Sequence, residues 1–258
     1  MLSVIPLLAA QRQLYDLPRG RGRFRHYLQV MTGGTDDMVL PLTALNPMGK
    51  AHVAQALDAL LALGAEDIVV EAVAEAEQRL RIVEVSLQVG LVVADDVAGG
   101  WTNRELIEAN RLRFVPRAML QRGWLVALYW ASEPVTREKV REEVLAAIYR
   151  DLYLQRHSGP ATLGRMMEVE GRSLAFAHAS EPRLDPADLA YTGEVLQPYR
   201  DAPVFEEFPT VFTCLYGDRA ARRVGYPVLG LSPRAGCALA LAEAGQEILT
   251  PEAPFRGA

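Results

Sequence analysis

The chain lacks most of the short patterns that name a chemistry. It contains no GxxxxGK[ST] and no GxGxxG, so the common glycine-rich phosphate cradles are missing. It has no G-x-S-x-G nucleophile elbow. Its four histidines, His26, His52, His157 and His178, never stand as HxH or HxxxH, which removes a local zinc motif. No apolar run approaches the ~20 residues that cross a bilayer. The apolar start, MLSVIPLLAAQRQ, has no basic flank and is broken by Pro6, so it does not read as a signal peptide.

Cysteine is scarce. Cys214 and Cys237 both stand in apolar surroundings without metal-type neighbours, which predicts buried free thiols in a cytoplasmic protein. Positive charge is also in deficit, with 27 Lys and Arg against 32 Asp and Glu and a net charge of −5. That balance argues against nucleic acid as a partner, and nothing points to a membrane. The densest basic stretch, RGRGRFRH, places Arg19, Arg21, Arg23 and Arg25 close together. Arginines on a glycine-flexed loop can grip phosphate. The overall acidity favours the plainer reading, a solvated loop and helix start.

What is present is a large apolar fraction, 50% of 258 residues, enough for a sizeable core. No internal repeat or low-complexity segment stands out. The periodicity predicts a helix-rich α+β fold, with α/β as the variant, in which about three strands are packed by eight or nine helices. A helical region over 1–81 and an α/β-type core over 82–258 are expected to form one compact domain.

Residues 3–15 read as a weak helix bent near Pro6, and FRHYLQVMTGG as a second that Gly33 and Gly34 end. Asn46-Pro47 resembles a helix start, with Gly64 as its stop. Residues 65–80 are ambiguous, but Val69, Val73, Ala76 and Leu80 favour helix. From residue 82 the period becomes two: Val83, Val85, Leu87, Val89, Leu91 and Val93 share a face. WLVALYWA (124–131) reads as a strand buried on both sides, and TVFTCLY (210–216) as a third strand. The first two have enough chain between them for a parallel crossover. Further helices are expected at 137–156, from Thr162, from Asp185-Pro186, and after Ser232-Pro233. The last is rich in small residues and expected to pack on the sheet.

Candidate chemistry gathers around VVADDVAGGWTNRE, residues 92–105. Thr102 and Glu105 fit a capping box, Trp101 and Leu106 a hydrophobic staple, and Gly99-Gly100 a sharp turn. Strand parity turns Asp95 toward the core and Asp96 away from it. A carboxylate ending a buried row needs a partner, a cation or water. Asp95 or Asp96 is therefore the candidate base, Asn103 and Arg104 the candidate substrate clamps, and His157 a candidate acid/base, although a helix-end role explains His157 as well. His178 reads as a core histidine.

All three expected strands run into acids, so Asp95, Glu133 and Asp218 form a candidate oxygen-ligand set for a divalent metal such as Mg²⁺ if the strands are parallel. The plainer reading gives Glu133 and Asp218 helix-cap roles. Two classes of function follow. One is an enzyme of hydrolase or phosphoryl-transfer type acting on a small molecule at the strand ends. The other is a non-catalytic ligand-binding or assembly domain, in which Met166 and Met167 face a protein partner or a second copy of the chain, although core packing also explains them.

Overall fold

The computed structural model describes residues 1–81, 86–97, 102–157, 159–246 and 250–255. The chain gathers into two compact units, Met1–Arg104 with Arg117–Ile148, and Glu105–Pro116 with Tyr149–Ala258. Among the described residues all three strands belong to the first unit: β1 (Leu2–Val4), β2 (Leu87–Ala94) and β3 (Trp124–Trp130). They lie side by side in that order and run parallel. Eleven α-helices accompany them among the described residues, so the fold is the helix-rich α+β class that the patterning predicts.

The strands show why the pattern reads as it does. In β2, Leu87 and Val89 are buried and Gln88 is exposed, while Gly90 to Val93 are buried without alternation. The expected start of this strand over 82–85 lies outside the described residues. β3 is buried at every position, as its unbroken apolar run predicts. The remaining strand is not the one expected. Residues 3–15 divide at Pro6 into β1 and the helix α1 (Leu7–Gln13), because a residue without an N–H suits the boundary between two elements.

That division brings α1 onto β2. Gly90 permits it, since a Cβ there would lie 2.3 Å from Leu7 Cδ1. β1 ends opposite Val89, so no strand residue is left beside Val93 on that edge. The fully buried side chain of Gln11 takes the place of one. Its Nε2 donates to the Val93 carbonyl and its Oε1 accepts from the Val93 amide, both at 2.8 Å. A side-chain amide carries the same donor and acceptor as a peptide, so it prolongs the ladder by one rung.

The helix α2 (Arg21–Thr32) ends at Gly33, where φ is +58°. The helix expected from Asn46 starts later, as α3 (Ala51–Ala62), because Asn46 Oδ1 accepts from the Met48 amide and folds the chain into a turn first. Gly64, at φ +72°, separates α3 from α4 (Ala65–Leu80), so the ambiguous segment is helix. α5 (Arg104–Arg113), α6 (Arg117–Gln121) and α7 (Arg137–Arg156) follow. The first residue of α5, all of α6 and α7 up to Ile148 belong to the first unit.

The second unit holds α8 (Leu163–Ala177), α9 (Pro186–Leu196), α10 (Phe208–Val224) and α11 (Ala235–Gln246). Thr162 and Asp185 cap α8 and α9 through their side chains, at the two helix starts that the sequence predicts. TVFTCLY is the main correction: it is helix α10, not strand. Pro209 sits in the first turn, Phe208, Phe212 and Tyr216 recur at i, i+4, and residues 211–218 are buried without a break, which removes the alternation that would tell helix from strand. α11, expected against the sheet, packs on α8, α9 and α10 of its own unit. Gly171 of α8 meets the Ala240 carbonyl and Gly236 meets that of Cys214, each so closely that a Cβ would overlap. Met166 and Met167 are buried. Burial pushes the thiols of Cys214 and Cys237 up to about 12.

Replacing Gln11 with Ala leaves the Val93 amide and carbonyl buried without partners. We expect a loss of about 2–6 kcal/mol in the stability of the first unit, at ~1–3 kcal/mol per unsatisfied group. Urea unfolding measures it. A loss below about 1 kcal/mol would show that the rung carries no stability.

Candidate functional site

The carboxyl ends of β2 and β3 lie side by side, Ala94 opposite Trp130, so the residues that follow each strand meet. Open parallel sheets place ligands at this edge. Asp96 bonds across it: Oδ1 accepts from the Ser132 amide at 3.0 Å and Oδ2 from the Ser132 hydroxyl at 2.6 Å. Arg104 joins the same group, with Nη1 at 2.5 Å from Glu133 Oε1 and 3.6 Å from Asp96 Oδ2. Its guanidinium also lies over the Trp130 ring, 5.5 Å from the centroid. Lys139 is 3.9 Å from Glu133 and 2.8 Å from Glu143. Burial would lower the Lys139 ammonium, but Glu143 and Glu133 outweigh it and raise it above its usual range. Asp96, Arg104 and Glu133 are thus brought together, and they engage one another.

Asp95 turns the other way, as strand parity predicts. It is 2% exposed, and its Oδ1 lies 2.7 Å from His52 Nε2. The same oxygen accepts from the Val97 amide at 3.2 Å. His52 lies in the first turn of α3 with 27% of its side chain exposed. An ionised carboxylate only accepts, so in the neutral imidazole Nε2 carries the proton and Nδ1 the lone pair. Among the described residues nothing bonds Nδ1. A buried acid thus orients a partly exposed histidine with its basic nitrogen available.

Tyr15 and Arg23 complete this corner. The Tyr15 hydroxyl donates to the Asn46 carbonyl at 2.9 Å, and the Arg23 guanidinium lies 5.1 Å from its ring centroid. Burial pushes the phenol up to about 12, with Arg23 opposing and Asp95 adding to the shift. Gly49 is pressed against the ring, since a Cβ there would stand 2.2 Å from the Tyr15 hydroxyl oxygen. His52 and Tyr15 are the residues that sequence reasoning missed as a site, while Arg23 was weighed only with its whole basic run. The only available signal was weak: a histidine just inside a helix start and an arginine within a basic run.

Asn103 immediately precedes α5. The Thr102 hydroxyl is buried without a hydrogen-bond partner among the described residues, and Glu105 meets Arg223 at 3.3 Å, so the capping box is not made. The helix starts one residue later than the box requires. Trp101 and Gly99-Gly100 lie outside the described residues.

His157 belongs to the second unit and packs on Tyr153, ring centroids 4.3 Å apart. Burial first, then Arg165, lowers its imidazole below the usual range. That favours the neutral form rather than the cation a helix end would attract. His178 is exposed and ends α8 at φ +55°, so it is not a core residue.

Asp218 also belongs to the second unit and follows Gly217, whose φ of +78° and ψ of 175° break α10. Its carboxylate accepts from the amides of Leu229, Gly230 and Leu231 at 2.9–3.2 Å. The expected Mg²⁺ set is therefore not assembled: Asp95 is held by His52, Glu133 by Arg104 and Asp218 by backbone amides. Among the described residues no group of three or more His, Cys, Asp and Glu is placed to hold a metal ion. No described helix is long and apolar enough to cross a membrane. No family model, curated protein or solved structure matches the chain.

Burial alone would raise the Asp218 carboxyl, but the amides of Leu229, Leu231 and Gly230, with Arg222, hold it below its usual range. A lowered carboxyl stabilises the fold above its unfolded value and loses that contribution as pH falls through the folded one. Asp218→Asn is expected to cost about 1–3 kcal/mol at pH 7. The gap to wild type should close progressively below about pH 4. Urea unfolding across that range checks this, and a gap independent of pH would contradict it.

Proposed function

We propose that the chain is a hydrolase in which His52, oriented by Asp95, acts as general base at the carboxyl end of β2. The observation that carries this reading is the 2.7 Å contact between His52 Nε2 and a carboxylate that is 2% exposed, with Nδ1 left without a partner among the described residues. Nδ1 takes a proton from a water molecule as that water attacks an acyl or phosphoryl centre. The imidazolium then returns the proton to the leaving group. Asp95 is the positioning residue: it holds the ring and offsets the charge that forms on it. The Asp96–Ser132–Arg104–Glu133 group holds the two strand ends in register beneath this chemistry. Two neighbouring acids would then have different tasks, Asp95 orienting the base and Asp96 joining the strands.

The test uses p-nitrophenyl acetate, p-nitrophenyl phosphate and bis-p-nitrophenyl phosphate with the full chain. At least one should be turned over, and His52→Gln should lower kcat by about 10²–10⁴-fold while far-UV circular dichroism is unchanged. Asp95→Asn should lower kcat with little change in KM. Wild type no faster than His52→Gln on all three probes would overturn the reading.

A further inference from the structure

Arg23 is the one member of the basic run that the fold buries. It is 6% exposed, whereas Arg19, Arg21 and Arg25 are exposed. Its Nε donates to the Leu17 carbonyl at 2.7 Å and its Nη1 to the Gly49 carbonyl at 3.3 Å. Among the described residues no carboxylate lies within ion-pair distance of it, and nothing bonds Nη2. Carbonyl dipoles and a tyrosine face attract a guanidinium without neutralising it. Arg234 in the second unit shows the ordinary solution, with Glu108 at 2.7 Å. A buried cation without a counter-ion is a costly feature, and it calls for an anion.

The bond to Gly49 brings this guanidinium to the N-terminal end of α3. That end carries no side-chain cap. The first amides of a helix have no intrahelical partner, and among the described residues nothing bonds those of Ala51 and His52. Such an end favours negative charge, and Arg23 is a second, independent group asking for the same ligand. The Asp95 carboxylate does not supply it, being turned onto His52 Nε2 and the Val97 amide.

We infer that this corner binds an oxyanion, a phosphate or a carboxylate group, on the molecule that His52 acts upon. Arg23 Nη2 and the amides of Ala51 and His52 are the donors. Arginine suits the role because its planar fork presents several donors at once. The inference rests on the hydrolase reading for the fate of the ligand but not for its binding.

Isothermal titration of the full chain with inorganic phosphate, and separately with acetate, at matched ionic strength tests it. We expect a saturable heat from at least one. Phosphate alone names a phosphate ester as the substrate class, and acetate alone names a carboxylate. Arg23→Lys keeps the charge but loses the fork and should weaken binding at least tenfold. Ala51→Pro removes one amide donor without breaking the helix, because proline suits the first helical position and Lys50 before it is already extended. It should also weaken binding, and it keeps the test decisive if Arg23→Lys fails to fold.

No saturable heat from either anion overturns the inference, as does binding that Ala51→Pro leaves unchanged. Binding without turnover of any p-nitrophenyl probe overturns the hydrolase reading alone. Turnover of the neutral ester without anion binding overturns this inference alone.

Discussion

The first unit depends on how the exposed edge of β2 is completed. β1 is only three residues long, and past it β2 would present a buried amide and carbonyl to an apolar helix. The two hydrogen bonds from Gln11 to Val93 remove that cost and tie α1 to the strand two residues before Asp95. α1 packs on α3 as well as on β2, so the helix that carries His52 is registered against the strand that carries Asp95. One side-chain amide thus links the ladder, the helix layer and the acid–histidine pair.

Beyond Val93 the strand ends by sending adjacent carboxylates in opposite directions. Asp96 joins Ser132 and, with Arg104 and Glu133, closes the β2–β3 end as a charged network. Asp95 goes inward to His52. This division follows from the two-residue period of a strand, which persists for the first residues after pairing stops. It also explains why the acids do not form a shared metal site: each is already engaged by a cation, an imidazole or backbone amides.

Much of this was legible in the sequence where local physics decides. The shared buried face of Leu87 and Val89 in β2, the unbroken apolar run of β3, the helix over 137–156 and the helix start at Asp185-Pro186 all correspond to what folds. So does the inward direction of Asp95. The strand expected over 210–216 failed because that segment is buried on every side from Val211 on. Residues 211–218 of α10 are buried without a break, so its β-branched and aromatic residues read as strand, and only the i, i+4 recurrence of Phe208, Phe212 and Tyr216 argued otherwise. β1 is too short to show a period. His52 and Arg23 were out of reach for another reason. Asp95 lies 43 residues from His52 and Gly49 lies 26 from Arg23, and only the tertiary fold brings each pair together. Arg23 was visible within a basic run, yet nothing local distinguished it from its exposed neighbours.

The central claim is that Asp95 fixes the proton of His52 on Nε2 and leaves Nδ1 free to act. Nitrogen-15 correlation spectroscopy of the histidine ring measures this directly, because protonated and unprotonated ring nitrogens resonate far apart. In the neutral imidazole of the wild-type chain, the account predicts a protonated Nε2 and an unprotonated Nδ1, a preference that Asp95→Ala weakens. A proton on Nδ1 in the wild type, or ring signals that do not respond to Asp95→Ala, would contradict it.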